Sequence, residues 1–334
     1  MMSTEPNGTM TMLVNITETP NNGCRVWKIY EWFFTHYSSY IWVIFVLGFI
    51  ENLFVISIFV LHKSRCTVTE IYLGNMAAAD LILVSSLPLW AISMSNKNYW
   101  QFGDLMCGVV PSLYSLNLYS SIYFLMMVSI ERYLALVKAM SIGSLRRPWW
   151  AKVICGIIWI FAAVLSVPYG LFQKVVHIKE VNTTACFFVA PTTWYIVLNV
   201  ITNILGFLLP LVVTSFCTFQ IISFLKNNSM QQFKKVNKER KATRLVLSVF
   251  LVFIICWLPY NITIFILILL EINVSLPCMV TVFIHFVHVI LLFLTLSNSC
   301  INPVIYSMVG NQFRQKAKEV YRRFLHKGPD GRTS

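Results

Sequence analysis

The stretch MVTVFIHFVHVILLFLTLSNSCINPVIYSMV, residues 279–309, decides the fold class of this chain. No Asp, Glu, Lys or Arg occurs anywhere between Ile272 and Phe313. About 20 apolar residues in a helix cross the roughly 30 Å of hydrocarbon in a bilayer. Lipid offers no hydrogen-bond partner to a backbone outside a helix or a closed barrel. The stretch therefore predicts a membrane-spanning helix.

Six further stretches are apolar over a similar length. The seven predicted spans are 40–61, 71–94, 109–137, 151–172, 196–225, 245–270 and 279–309. Charged residues make up 12% of the chain, about half the share that a soluble domain carries. We predict an all-α integral membrane protein, a seven-transmembrane helix bundle over 38–310. Before it lies a tail, 1–37, and after it a segment, 311–334, that begins with a short amphipathic eighth helix.

The two ends of the chain are predicted to lie on opposite sides of the membrane. Glycosylation sequons at Asn7 and Asn15 indicate an extracellular tail, and a sequon at Asn182 lies in the loop between spans four and five, on the same side. The basic C-terminal segment indicates the cytoplasmic side. Opposite sides require an odd number of spans, which seven satisfies. We expect a multi-pass protein of the plasma membrane.

The net charge of +13 is distributed as in a membrane protein. On this topology, five of the 26 Lys and Arg residues lie outside: Arg25, Lys28, Lys97, Lys174 and Lys179. Such a bias toward the cytoplasmic side is the positive-inside rule. No basic run lies in a soluble module, so we expect the lipid bilayer as a partner and no nucleic acid.

Asp80 lies in the middle of the second span. A charge within a span is costly and needs polar partners. Polar side chains at matching depth on other spans are Asn52, Asn117, Ser121, Asn298, Ser299 and Asn302. Two interpretations stay open from the residues alone: a water-filled pocket that holds a sodium ion, and a structural hydrogen-bonded cluster without an ion.

Two prolines lie within spans, Pro259 after Trp257 and Pro303 after Asn302. A proline removes one helix hydrogen bond and bends the helix. The bend beside the bulky Trp257 is either a pivot between two states or a static kink.

Glu131-Arg132-Tyr133 stands at the inner end of span three. Glu239, at the inner start of span six, offers Arg132 a second partner across the bundle. We expect that breaking this contact lets span six move outward and opens a cavity for a partner protein.

These motifs together resemble the rhodopsin-like (class A) G-protein-coupled receptors over residues 40–324. The matching positions, in chain order, are Asn52, Asp80, Trp100-x-Phe-Gly, Cys107, Glu131-Arg-Tyr, Trp159, Pro210, Cys256-Trp-Leu-Pro259 and Asn302-Pro-x-x-Tyr306. The resemblance implies a receptor that activates a heterotrimeric G protein and is not an enzyme. It also favours the sodium pocket at Asp80, and we expect no other cofactor.

Longer stretches are similar to the bradykinin (kinin) receptor family, with the type 2 subtype as the closer scaffold. They are TEIYLGNMAAADLIL (69–83), VSIERYLALVK (128–138), GFLLP (206–210) and FIICWLP (253–259). This similarity implies a kinin peptide as agonist and coupling mainly to the Gq class, with phospholipase C and calcium release downstream.

The resemblance also implies roles for particular residues. Four cysteines lie outside and allow three pairings; the family pattern selects Cys107–Cys186 and Cys24–Cys278. Met140 is the expected hydrophobic contact for the G protein, and Tyr306 belongs to the activation switch. The residues expected to contact the peptide are Trp90, Tyr114, Tyr260, His285 and His288, with Glu271 attracting its basic end.

The chain departs from the family in two places. Leu267 and His285 stand where relatives carry acidic residues on spans six and seven, so we expect an altered ligand preference, with Glu271, Glu180 or Asp104 as substitutes. Beyond Arg323 only Thr333 and Ser334 offer phosphorylation sites, so we expect weak arrestin binding.

Three alternatives stay open. The first is a class A receptor for a different, angiotensin-like peptide. The second is a peptide scavenger that does not signal, although the intact Glu131-Arg132-Tyr133 argues against it. The third is a transporter, although internal repeats and broken mid-membrane helices, which are common in transporters, do not appear.

Overall fold

The structure is a computed structural model that describes residues 27–62, 66–96, 98–137, 148–178, 183–227, 233–272, 276–309 and 311–326. Seven helices in it are long and apolar enough to cross a membrane. Six of them are single continuous α-helices: α1 (Trp27–Leu61), α2 (Val68–Ser95), α3 (Gly103–Leu136), α4 (Pro148–Leu171), α6 (Phe233–Glu271) and α7 (Cys278–Val309). Helix α5 consists of three consecutive segments, Thr192–Ile201, a π-helix Thr202–Leu208, and Leu209–Asn227. The predicted seven-helix fold is confirmed.

Each of the seven helices begins before the apolar stretch that predicted it. Helix α2 shows why: the Thr67 side chain accepts a hydrogen bond from the backbone N–H of Glu70, while the Glu70 carboxylate accepts one from the backbone N–H of Thr67. This capping box satisfies backbone donors at a helix start. The helix therefore begins at Val68, before the apolar span does. Helix α1 likewise begins at Trp27, inside the segment predicted as tail.

Helix α3 is the central helix of the bundle. Within its most apolar 18 residues, 61% are buried inside the protein, compared with 28% in α1, α4 and α5. Tyr119 and Phe124 of α3 are both fully buried. Large apolar side chains elsewhere face outward, such as Val60 at 74% exposure and Phe219 at 69%. An apolar exterior of this kind requires a surrounding of lipid rather than water.

A β-hairpin that the sequence did not predict joins α4 to α5. Strands β1 (Gln173–Ile178) and β2 (Thr183–Phe188) are antiparallel, and Val175 pairs with Cys186. Cys186 forms a disulfide with Cys107 at the start of α3, as the resemblance implied. The Asp104 carboxylate also accepts a hydrogen bond of 2.9 Å from the backbone of Val175. The hairpin therefore lies against the start of α3, and we call this end of the bundle the hairpin end.

Helix α8 (Asn311–His326) lies at the opposite end, called the α8 end. Phe313 is buried, with its ring 5.8 Å from that of Phe59 on α1. Lys316 Nζ lies 2.8 Å from Glu70 Oε2, so one apolar and one ionic contact hold α8 to α1 and α2. The predicted amphipathic eighth helix is present.

Candidate functional site

The Asp80 carboxylate is completely buried and joins three helices. Its Oδ1 accepts hydrogen bonds from Asn117 Nδ2 at 2.7 Å, Ser121 Oγ at 3.3 Å and Ser299 Oγ at 2.9 Å. Its Oδ2 accepts one from Asn302 Nδ2 at 3.2 Å. Burial of a charge is tolerated when hydrogen bonds compensate it. The structure thus brings together the polar residues that the sequence grouped around Asp80.

Three buried amide oxygens belong to the polar residues that the sequence grouped with Asp80. In the described part of the chain, Oδ1 of Asn52, Asn298 and Asn302 is buried and accepts no hydrogen bond. The Asn52 amide nitrogen donates to the carbonyls of Gly48 (2.9 Å) and Ser299 (2.8 Å), which fixes the direction of its oxygen. Buried polar atoms without a partner call for water or an ion. A carboxylate with amide oxygens is a donor set that suits a hard cation, so these residues fit sodium.

A cavity of about 10 Å³, which has room for about one water molecule, lies between this polar cluster and Trp257. Asn117, Ser121, Asn298 and Asn302 line its polar side, and Trp257 lies on its apolar side. The space lies between α2, α3, α6 and α7, so a relative shift of these helices changes its volume. Trp257 is thus in a position to influence the packing around Asp80.

Trp257 belongs to a continuous aromatic surface toward the hairpin end. Its ring lies 6.4 Å from that of Tyr114 and 5.9 Å from that of Tyr260. Tyr114 in turn lies 6.2 Å from Trp90, and Tyr260 stacks on His288 at 5.0 Å. Four of the six predicted ligand residues therefore meet around Trp257.

Polar contacts orient this surface. The Tyr114 hydroxyl is hydrogen-bonded to Thr295 Oγ1 at 2.9 Å, and His288 Nδ1 to Thr263 Oγ1 at 3.0 Å. His285 is half-buried one turn from His288 on α7.

The acidic residues at the hairpin end differ in availability. Glu271 is half-buried at the end of α6, within electrostatic range of Tyr195 on α5. Asp104 is engaged by the backbone of β1, and Glu180 lies outside the described residues. Leu267 is 5% exposed, so it packs in the protein interior. Of the two acids among these substitutes that the structure describes, Asp104 is engaged by the hairpin, and Glu271 stays the candidate.

Thr69 is a functional candidate that sequence reasoning missed. At the α8 end of α3, Glu131 Oε2 lies 3.0 Å from Arg132 Nε and accepts a hydrogen bond of 2.8 Å from Thr69 Oγ1. Arg132 Nη2 also donates to the Thr69 hydroxyl. A hydroxyl at the start of a span carries no distinctive sequence signal, because such residues usually cap helices.

Several predicted residues cannot be placed. Asn7, Asn15, Cys24, Met140 and Asn182 lie outside the described residues, as do the side chains of Glu239, Cys278 and Tyr306. The second disulfide and the contact between Arg132 and Glu239 therefore stay predictions.

The comparison with known proteins first defines the class of protein to which the chain belongs. The family described as 7 transmembrane receptor (rhodopsin family) matches residues 51–306. These are G-protein-coupled receptors of the plasma membrane rather than enzymes, in agreement with the seven spans and the disulfide.

Individual relatives narrow this class. The chain is 49% identical to the B2 bradykinin receptor of Homo sapiens, over 89% of this chain and 77% of that receptor. It is 46% identical to the B2 bradykinin receptor of Oryctolagus cuniculus, over 92% of this chain and 85% of that receptor. It is 36% identical to the B1 bradykinin receptor of Tupaia minor, over 87% of this chain and 83% of that receptor. The chain therefore belongs to the bradykinin receptor family.

Proposed function

We propose that this receptor binds a kinin peptide at the hairpin end and activates a G protein of the Gq class at the α8 end, with phospholipase C and calcium release downstream. The observation that carries the proposal is the 49% identity to a B2 bradykinin receptor along most of the chain. Identity of this extent favours a shared ligand class and a shared direction of signalling.

In this proposal the hairpin end is extracellular, together with the N-terminal tail. The distribution of charge supports this orientation. Among described side chains, Lys174 is the one Lys or Arg of the hairpin end. The α8 end carries Arg132, Lys152, Lys226, Arg244, Arg314, Lys316, Lys318 and Arg322. The cytoplasmic ends of membrane helices are enriched in Lys and Arg.

The aromatic surface around Trp257 is the proposed binding site of the peptide. Trp257 contacts two sites, because it belongs to this aromatic surface and also lines the cavity next to the Asp80 cluster. A ligand changes an equilibrium only if its affinity for the two states differs. A peptide that binds better to one position of Trp257 and α6 therefore shifts the packing around Asp80, which contacts both α3 and α7.

At the α8 end, the proposed consequence is release of Arg132 from Glu131, Thr69 and the predicted partner Glu239. Outward movement of α6 would then open a groove for an amphipathic helix of the G protein, with Met140 as a hydrophobic contact. The two prolines, Pro259 in α6 and Pro303 in α7, provide the flexible points for these movements.

A sodium ion is proposed at Asp80 in the inactive state. Asp80, Asn117, Ser121, Asn298 and Asn302 would hold it, with Asn52 Oδ1 as a further oxygen, and its charge would offset that of the buried carboxylate. These residues belong to α1, α2, α3 and α7, so a bound ion would favour the arrangement in which these four helices are close.

Glu271 is proposed to attract the basic end of the peptide. Leu267 is uncharged and buried, and the Asp104 carboxylate is hydrogen-bonded to the hairpin. The negative charge available to a ligand at the hairpin end therefore lies at Glu271, and not at positions 267 and 285, where relatives carry acidic residues. We expect the preference among kinin peptides to differ accordingly.

A calcium assay in transfected cells tests the proposal with a panel of kinin and angiotensin peptides. We expect a response to at least one kinin peptide at nanomolar to micromolar concentration, absent from mock-transfected cells. A response to angiotensin peptides alone would assign the other peptide class. High-affinity kinin binding without nucleotide exchange would indicate a scavenger, and ligand-dependent flux into vesicles would indicate a transporter.

A further inference from the structure

Helix α5 changes from α-helix to π-helix at Thr202 and returns to α-helix at Leu209. Within the π-segment, hydrogen bonds span five residues, as from the Leu209 backbone N–H to the Ile204 carbonyl. A π-helix is rare and usually short, and it is often found at functional sites. Because a regular helix is the more favourable form of the isolated chain, tertiary contacts must hold the wide turn.

A chain of hydroxyl groups makes such contacts at the first residue of the π-segment. The hydroxyl of Tyr119 on α3 lies 3.3 Å from Thr202 Oγ1. Thr202 Oγ1 is also hydrogen-bonded to the hydroxyl of Tyr169 on α4. Tyr169 donates in turn to the Leu198 carbonyl at 3.0 Å. Three helices thus meet at one side chain of α5.

The donors and acceptors of this hydroxyl chain can all be satisfied together. Each hydroxyl has one proton to donate and can accept as well. One arrangement runs from Tyr119 to Thr202, from Thr202 to Tyr169, and from Tyr169 to the carbonyl of Leu198, and it uses every proton once. Tyr119 is 0% exposed and Thr202 is 5% exposed. Thr202 Oγ1 also lies 3.0 Å from the Leu198 carbonyl, to which it can donate within its own helix. The hydroxyls of Tyr119 and Tyr169 are therefore what tie Thr202 to α3 and α4.

The Tyr119 ring also lies against the π-segment itself. A Cβ atom at Gly206 would be 3.4 Å from Tyr119 Cε1, so the ring rests on the backbone of the wide turn. Contact with both Thr202 and Gly206 holds the segment along most of its length.

The π-segment determines how the two halves of α5 are rotated relative to one another. One residue corresponds to about 100° of rotation and 1.5 Å of rise in an α-helix. If the wide turn became regular, the segment Thr192–Ile201 would rotate relative to Leu209–Asn227. The first segment carries Tyr195, which is close to Glu271. The second carries Phe216, whose ring lies 5.9 Å from Tyr133, next to Arg132.

We propose that the hydroxyl chain of Tyr119, Thr202 and Tyr169 sets the rotational register of α5. Tyr169 is a positioning residue: its hydroxyl holds the π-segment at Thr202 and keeps the hairpin end of α5 aligned with the ligand surface. The register follows from the contacts within the bundle. Only its effect on agonist potency rests on the proposed function.

The substitution Tyr169→Phe removes the hydroxyl and keeps the ring. Tyr123→Phe is the matched control, because Tyr123 of α3 also packs against α4, 5.0 Å from Phe161, and its hydroxyl forms no hydrogen bond in the described part of the chain. Thr202→Val breaks the chain at its centre, whereas Thr202→Ser retains the hydroxyl. Surface expression and melting temperature would show that each receptor folds.

Amide hydrogen exchange of the purified, ligand-free receptor measures the register directly. We expect exchange of residues 203–208 to slow about fivefold in Tyr169→Phe and Thr202→Val, because a regular helix bonds these amides more tightly. The Tyr123→Phe and Thr202→Ser receptors should exchange like the unmodified one. Exchange that is unchanged or faster in Tyr169→Phe would overturn the proposal, because the hydroxyl would then only stabilise the bundle.

Agonist potency tests the positioning role. We expect the EC50 of the active kinin peptide to rise about fivefold in Tyr169→Phe and to stay constant in the two controls. A constant EC50 in a receptor whose exchange has slowed would overturn the positioning role. If no kinin peptide activates the unmodified receptor, the proposed function fails, while the exchange result still decides the register.

Discussion

Thr69 Oγ1 donates a hydrogen bond of 2.8 Å to Glu131 Oε2 and so ties the start of α2 to the charged pair at the end of α3. Since Arg132 also donates to the Thr69 hydroxyl, one small side chain holds both members of the pair. The pair therefore depends on the α2–α3 contact as well as on α3 itself.

The substitution Thr69→Ala should raise activity in the absence of ligand. Without the hydroxyl, Arg132 loses one partner that holds it in the inactive position. A hydrogen bond of this kind contributes about 1 kcal/mol, so the population of the active state should rise roughly fivefold. Nucleotide exchange on a G protein in membranes, normalised to surface expression, measures this effect. Thr69→Ser retains the hydroxyl and should behave like the unmodified receptor; equal basal activity in all three receptors would contradict the prediction.

The substitution Asp80→Asn should abolish the dependence of agonist affinity on sodium. Asparagine keeps the size of the side chain but removes the charge that would attract the ion. Agonist competition binding, with sodium chloride replaced by choline chloride at constant ionic strength, measures the dependence. Ser120→Ala is the control, because Ser120 of α3 is also buried but, in the described part of the chain, bonds only carbonyls of its own helix. The prediction fails if the unmodified receptor shows no sodium effect or Asp80→Asn retains one.

The substitution Lys316→Ala should loosen α8. Lys316 Nζ lies 2.8 Å from Glu70 Oε2, and both side chains are mostly buried, at 13% and 7% exposure. Hydrogen bonds to charged groups contribute about 1.5–3 kcal/mol, and loss of this one also leaves Glu70 without its counter-ion. We expect faster amide exchange throughout Asn311–His326 and a lower melting temperature.

Lys318→Ala is the matched control for this experiment, because Lys318 is exposed on the same helix. Similar exchange of α8 in the two variants would show that the buried ion pair does not hold the helix.

The substitution Glu271→Gln should weaken binding of peptides that carry a basic end. Loss of an exposed or half-buried charge at the hairpin end mainly lowers the association rate of the peptide, and salt weakens this electrostatic effect. We expect the substitution to raise the EC50 at low ionic strength and to raise it by a smaller factor in high salt. A peptide analogue without the basic terminal residue serves as the internal control. Equal losses for both peptides, or no dependence on salt, would remove Glu271 from this role.

Much of the Asp80 site could be predicted from residues alone. A carboxylate in a span must have polar partners, so the scarce polar side chains at similar depth were the candidates, and Asn117, Ser121 and Asn302 do contact it. The same reasoning could not find Thr69 or Thr202. A hydroxyl can bond to its own helix, so its presence alone does not indicate a contact with another helix.

By itself, the sequence determined the number of spans, the position of each polar residue along its span and the family of the protein. These follow from hydropathy and from motifs along one chain, since the lipid imposes a helix on every span. Only the tertiary structure decided which side chains meet across helices: Tyr169 with Thr202, Thr69 with Glu131, Glu70 with Lys316. Such contacts depend on the rotation of each helix about its own axis. That rotation is set by packing against several neighbours at once, and a π-turn in α5 changes it by an amount that periodicity along the chain does not reveal.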